Sequence, residues 1–149
     1  MTMTVRIAQE SDLAGVAELF DAYRQFYGQP ANIAVATAFI GSRLHEGSSL
    51  ILVATNDAGA MVAFTQLYPL FDSVGATPSF VLYDLYVRPD ARRAGVAKQL
   101  MHEARSVARQ RGAGRIELQT GKDNTAAQRL YESLGWVRDT DFFIYAITP

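Results

Sequence analysis

The sequence predicts an α/β (α+β) fold, a mixed β-sheet with helices on its faces, as a single domain over residues 1–149. Three observations predict it. Strand and helix patterns follow one another in the order β-α-α-β-β-β-α-β-α-β-β, with no linker, repeat or low-complexity tract between them. Hydrophobic residues make up 49% of the 149 residues, enough to fill a core. Charged residues reach only 19%, too few for a disordered chain.

Each element has a local reason. Val5 to Ala8 reads as a short strand, after which Ser11 or Asp12 caps a helix with Leu13, Val16, Ala17, Phe20 and Tyr23 on its apolar side. Gly28 and Pro30 stop that helix, and a second one is expected from Ile33 to Leu44, ending before Gly47. Strands Leu50 to Ala54 and Met61 to Leu67 are joined through the turn Asn56-Asp57-Ala58-Gly59. A loop from Asp72 to Pro78 leads to a β-forming run, Phe80 to Val87, that Pro89 ends. The helix expected from Val96 to Gln110 carries Leu100, Met101, Ala104, Val107 and Ala108 on one face, and Gly112 stops it. Arg115 to Thr120 alternates as a strand, Thr125 to Leu134 is helical, and two closing strands are expected at Trp136 to Arg138 and Phe142 to Ile147.

Composition narrows the chemistry. The chain has no cysteine, which removes disulfides, thiolate metal sites and cysteine nucleophiles. Two histidines, His45 and His102, are too few for a multi-histidine metal centre, and no metal is expected. No apolar run approaches the roughly 18 residues of a membrane span, and the N-terminus lacks the apolar stretch of a signal peptide. A cytoplasmic protein with no membrane or nucleic-acid partner is expected. Net charge is −1, but eight of the fourteen basic residues lie between Arg88 and Arg115 against two acids, Asp90 and Glu103. One segment is positive and the remainder negative, as expected if one part meets an anion and another a cation, although charge alone fits a solvated arginine-rich helix face better.

The segment Arg92-Arg93-Ala94-Gly95-Val96-Ala97 joins a strand to the opening of the longest helix. A helix N-terminus offers unpaired N–H groups and about half a positive charge. Gly95 and Ala97 are small enough to admit a phosphate, and Arg92 and Arg93 add charge beside it. The spacing is neither that of a Walker-type loop nor that of a dinucleotide fingerprint. R-x-x-G-x-A in this setting resembles the coenzyme-A pyrophosphate motif of the GNAT N-acetyltransferases, and Tyr83 to Pro89 resembles their central strand. A second stretch, Asn124 to Trp136, is similar to the family's N-x-x-A-x-x-L-Y-x-x-x-G-[FW] signature, with Asn124, Ala127 and Tyr131 on one helix face.

The resemblance implies a mostly antiparallel central sheet with splayed central strands, a homodimer, and acetyl-CoA as co-substrate. Backbone groups around Leu85, Tyr86 and Val87 would bind the pantetheine and acetyl carbonyl. Arg92, Arg93, Ala94 and Gly95, with Val96, Ala97 and Lys98, would cradle the pyrophosphate. Asn124 and Arg129 would contact the cofactor arm, and Tyr131 would protonate the departing thiolate. Proton transfer from a tyrosine near pKa ~10 to a thiolate near ~8.5 is uphill by roughly 2 kcal/mol, which a small local shift removes.

An acceptor amine of pKa ~10.4 must lose a proton before it attacks. Asp84 is the only acid on the central strand and is the candidate base, acting through water. Polyamine-type members of the family have an acid where this chain has Tyr83. The end of the first helix, Tyr23-Arg24-Gln25-Phe26-Tyr27, resembles the acceptor helix of the histone and polyamine-type branch. Tyr27 and Tyr83 are the candidate acceptor contacts, aromatic faces suited to a cation. The expected reaction is acetyl transfer to a primary amine of a small cationic molecule, by direct attack with both substrates bound. Two other readings stay open: acetylation of a protein lysine or N-terminus, and a non-catalytic acyl-CoA-binding sensor.

Overall fold

A computed structural model describes residues 2–149, which fall into two compact units, one ending at Gln119 and one covering Thr120–Pro149. The first unit holds a five-stranded sheet in the order β1-β2-β3-β4-β5. The strands are β1 (Thr4–Ile7), β2 (Leu50–Thr55), β3 (Met61–Asp72), β4 (Thr77–Val87) and β5 (Arg115–Leu118). The first four pair antiparallel and β5 joins β4 in parallel, so the sheet is mixed and mostly antiparallel, as expected. Three helices belong to this unit: α1 (Leu13–Phe26), α2 (Ile33–Glu46) and α3 (Val96–Gln110).

Strand alternation sends Ile51, Val53 and Phe64 to one face, where they pack with Val16, Ala17, Leu19 and Phe20 of α1 and with Ala36 and Ile40 of α2. On the apolar stripe of α3, Val96, Leu100, Met101, Ala104, Val107 and Ala108 are all buried. The start of α1 is held by Asp12 in an unexpected way. Its carboxylate accepts a two-pronged bond from Arg6, at 2.7 and 2.9 Å, and another from the Gln9 N–H at 2.7 Å. Asn32 caps α2 through Val35 N–H, and Gly47, left-handed at φ 62°, closes it.

Two sequence expectations are corrected. Residues 72–78 are not an open loop: β3 and β4 extend to Asp72 opposite Thr77, leaving a tight turn between them. Pro69 interrupts nothing there, because the last β2 partner of β3 is Leu67, so the proline nitrogen lies on a free edge. The closing strands at 136–138 and 142–147 are absent, and residues 136–149 carry no regular structure. Phe142, Phe143, Ile144 and Tyr145 have the composition of a strand but are each at least 71% exposed. Without a ladder partner, β-propensity alone does not make a strand.

Candidate active site

β4 carries a bulge that organises the site. Gln66 opposes Asp84 while Leu67 opposes Leu82, so Tyr83 is the extra residue. Its carbonyl accepts from the Tyr23 hydroxyl of α1 at 3.1 Å. Asp84 then faces the same side of the sheet as Gln66, under α1 and α2, and is only 2% exposed. Gln66 Nε2 donates a short hydrogen bond to Asp84 Oδ2, and Ser49 Oγ donates to Gln66 Oε1 at 2.7 Å. The main chain is pinned as well, because Thr65 Oγ1 donates to the Asp84 carbonyl at 2.7 Å.

Burial is the main influence on Asp84 and raises its pKa to about 6, partly offset by the Gln66 hydrogen bond and then by the nearby Tyr23 hydroxyl. Desolvation and the nearby Asp84 charge push Tyr68 up to about 12 and Tyr23 higher still, so both phenols stay protonated. Tyr23 and Tyr68 lie close enough to this carboxyl to feel its charge. Tyr23 and Tyr27 meet edge-on at 5.0 Å between centroids, and Tyr68 meets Tyr83 edge-on at 5.5 Å. Tyr27 and Tyr83 are mostly exposed. The three acceptor-side residues expected from sequence thus belong to one cluster. Sequence reasoning missed Ser49, Gln66 and Tyr68, and included Tyr23 in the acceptor-like stretch without giving it a role of its own. A glutamine inside the apolar strand Phe64–Leu67 was the available signal, since a buried amide requires partners.

The other end of β4 suits a different ligand. β5 pairs with β4 only from Ser79 to Leu82, so, among the described residues, 83–87 have no strand partner on that side. Arg88 N–H donates to the Val62 carbonyl, and strand alternation then turns the backbone groups of Leu85 and Val87 away from β3. Arg92 Nε donates to the Val87 carbonyl at 2.9 Å, with its guanidinium 5.7 Å from the Tyr86 ring centroid. Arg93 and Gly95 are both left-handed, at φ 63° and 76°, and Gly95 caps α3. Open space surrounds Gly95, with no atom within 4 Å of where a Cβ would stand. Arg92, Arg93, Ala94 and Lys98 are exposed around this turn, while Val96 is buried beneath it. A tight turn, a helix N-terminus and two arginines make an arrangement chemically suited to a phosphate-bearing ligand.

The second unit is built on α4 (Thr125–Ser133). Asn124 Oδ1 accepts from Ala127 N–H at 3.2 Å and caps the helix. The Tyr131 and Trp136 rings lie 6.3 Å apart, and Trp136 N–H donates to the Tyr131 carbonyl, closing the helix after Gly135. Arg129 lies on this helix with an exposed side chain. Among the described residues no group of three or more histidine, aspartate or glutamate side chains could hold a metal ion. No helix among them is long and apolar enough to cross a membrane.

A mostly antiparallel sheet whose bulged strand leads through a left-handed turn into a helix N-terminus is an α/β fold suited to a phosphate-bearing ligand. Residues 14–136 match the model of the acetyltransferase (GNAT) family, and the chain belongs to that family. It is 41% identical over 145 residues to YhfO, an uncharacterized N-acetyltransferase of Bacillus subtilis, with 97% of each chain covered. A crystal structure of a probable acetyltransferase superposes with a TM-score of 0.91 at 35% identity, covering 100% of this chain and 98% of that one. The aminoglycoside acetyltransferase AAC(6')-Iy, solved with the bisubstrate analogue CoA-S-monomethyl-acetylneamine, shares the fold at a TM-score of 0.82 and 23% identity, covering 100% and 99% of the chains. The protein is an acetyltransferase.

Proposed function

We propose that this chain transfers acetyl from acetyl-CoA to a primary amine of a small cationic molecule, by direct attack with both substrates bound. The observation that carries the acceptor assignment is Asp84, a buried carboxyl with a pKa near 6 beneath a rim of tyrosine rings. At neutral pH it is mostly ionised, yet basic enough to take a proton through water from an incoming ammonium. Tyr27 and Tyr83 supply exposed aromatic faces for the cation. AAC(6')-Iy, which shares the fold, was solved with the bisubstrate analogue CoA-S-monomethyl-acetylneamine.

The residues present fit the co-substrate. Gly95 and the α3 N-terminus, with Arg92, Arg93, Ala94, Ala97 and Lys98, receive the pyrophosphate, and buried Val96 anchors the turn. Outward-facing backbone of Leu85 and Val87, beside Tyr86, holds the pantetheine arm and polarises the acetyl carbonyl. Asp84 takes one ammonium proton through water before attack, and the neutral nitrogen then bonds to the carbonyl carbon. Tyr131 then gives its proton to the departing sulfur as the C–S bond breaks, and the second proton of the nitrogen passes through solvent to the tyrosinate that Tyr131 becomes. In the second unit, the Asn124 amide NH2 and Arg129 serve the cofactor arm. The family match spans both units, which supports reading residues 1–149 as one catalytic domain.

The test is release of free CoA thiol from acetyl-CoA across a panel of polyamines, aminoglycosides, lysine-like amines and a basic peptide. The protein has no cysteine, so it contributes no thiol background. Turnover with one small-amine class is expected. Turnover confined to the peptide would overturn the small-acceptor assignment.

A further inference from the structure

We infer that Ser49 and Gln66 are a positioning pair that holds the Asp84 carboxylate ionised and oriented for proton uptake, an inference resting on the proposed role of Asp84 as the base. Gln66 is fully buried in β3 and directly opposite Asp84. An apolar side chain would fill that place with no polar atom to satisfy. Instead the amide lies between two partners, receiving the Ser49 hydroxyl at Oε1 and giving Nε2–H to Asp84 Oδ2.

The direction of these bonds carries the inference. An ionised carboxylate only accepts, so Nε2 and not Oε1 must face it. Ser49, immediately before β2, donates into the other end of the amide and favours that orientation. Each donor in the chain Ser49, Gln66, Asp84 therefore points toward the negative charge. A protonated Asp84 would have no need of this polarity, because its own O–H could donate to Oε1.

The surroundings leave this role to neutral groups. Tyr23 reaches the site from α1, Tyr68 from β3 and Tyr83 from the bulge, and Arg43 of α2 acts on Tyr68. No described lysine, arginine or histidine forms an ion pair with Asp84. Among the groups that lower the Asp84 pKa, Gln66 ranks ahead of Tyr23. Removing it leaves burial less opposed.

The experiment titrates the Asp84 side-chain carboxyl by 13C NMR, with Asp84→Asn used only to assign its signal. Gln66→Met keeps the shape and deletes the donor. Its midpoint is expected to rise by about one to two pH units, the equivalent of one hydrogen bond to a charged group. Ser49→Ala is expected to move the midpoint upward by less, and Ser49→Thr to restore it. An unchanged midpoint in folded Gln66→Met overturns the inference, and an unchanged midpoint in Ser49→Ala overturns the part assigned to serine. If Gln66→Met does not fold, Ser49→Ala carries the test by the same criterion. The acid limb of kcat/KM in each folded variant should follow its NMR midpoint. A midpoint that moves while the acid limb stays fixed would confirm the pair and refute Asp84 as the base, so the two failures are distinguishable.

Discussion

Replacing Asp84 with asparagine should make the protein more stable and nearly inactive. The carboxyl is raised from 3.8 to about 6, chiefly by burial. Between those two values the native state holds a proton that the unfolded chain releases. The stabilisation this provides is complete below the unfolded value and disappears as pH rises through about 6. Above that, ionised Asp84 costs the fold roughly 3 kcal/mol, as an upper bound. The asparagine carries no charge, and its side-chain carbonyl can still accept from Gln66. Asp84→Asn is therefore expected to raise the unfolding free energy at neutral pH by up to about 3 kcal/mol, with the gain shrinking toward pH 4. That is a large part of the ~5–15 kcal/mol typical of a domain.

Urea unfolding of both proteins, followed by far-UV circular dichroism at half-unit intervals between pH 4 and 8, measures this directly. A stability difference independent of pH would mean that Asp84 does not titrate near 6 in the native protein. A loss of stability at neutral pH would mean that the carboxylate is better satisfied than its burial implies. Loss of the base should lower kcat by ~10²–10⁴-fold with the preferred amine. A stabilised variant with full turnover would remove Asp84 from the reaction.

Other perturbations separate the cradle from the fold. Gly95→Ala meets no atom within 4 Å, so its cost is the left-handed backbone alone, about 1 kcal/mol in thermal unfolding, with a higher KM for acetyl-CoA. Arg93→Gly relieves a residue at φ 63°, so Tm should hold while the KM for acetyl-CoA rises. Asp12→Ala loses the Arg6 fork and the Gln9 bond, which should cost ~1–2 kcal/mol by urea unfolding. Its carboxyl is lowered by Arg6, so this contribution is present at neutral pH and disappears as pH falls through the lowered value. Lys98, His102, Arg105 and Arg109 form one exposed stripe along α3. Stopped-flow CoA binding should therefore slow with added salt, and a Lys98→Gln, Arg105→Gln, Arg109→Gln variant should flatten that dependence.

Local patterns in the sequence reach some parts of this molecule and not others. The 3.6-residue stripe of α3 and its glycine stops are written in consecutive residues, so its bounds are legible to the residue. The cradle is legible for the same reason, since turn, glycine and helix start lie within six positions. The long β3–β4 hairpin is not, because two prolines and polar residues near the turn suggest a loop until pairing supplies the missing partners. Asp12 is another case. Its position suggests a helix cap, but its side chain bonds to Arg6 of β1, a contact that only tertiary structure creates.

The acceptor side turns on one inserted residue. Strict alternation along β4 would put Leu82, Asp84 and Tyr86 on one face, with a carboxylate beside a leucine. The bulge at Tyr83 breaks that parity: Leu82 opposes Leu67, whereas Asp84 opposes Gln66 on the other face. Asp84 thereby reaches the helix-covered side, where Gln66 donates to its carboxylate and Tyr23 lies close by. The same insertion exposes the Tyr83 carbonyl to the Tyr23 hydroxyl, and the strand loses its β5 partner from Tyr83 onward. One irregularity therefore coincides with the proposed base on one face and with the strand edge that β5 leaves unpaired. A deletion that removed Tyr83 and restored regular pairing should cost both acceptor turnover and CoA affinity, whereas Tyr83→Phe should preserve CoA affinity. Equal loss in the two variants would show that the phenol, and not the bulge, is what CoA binding requires.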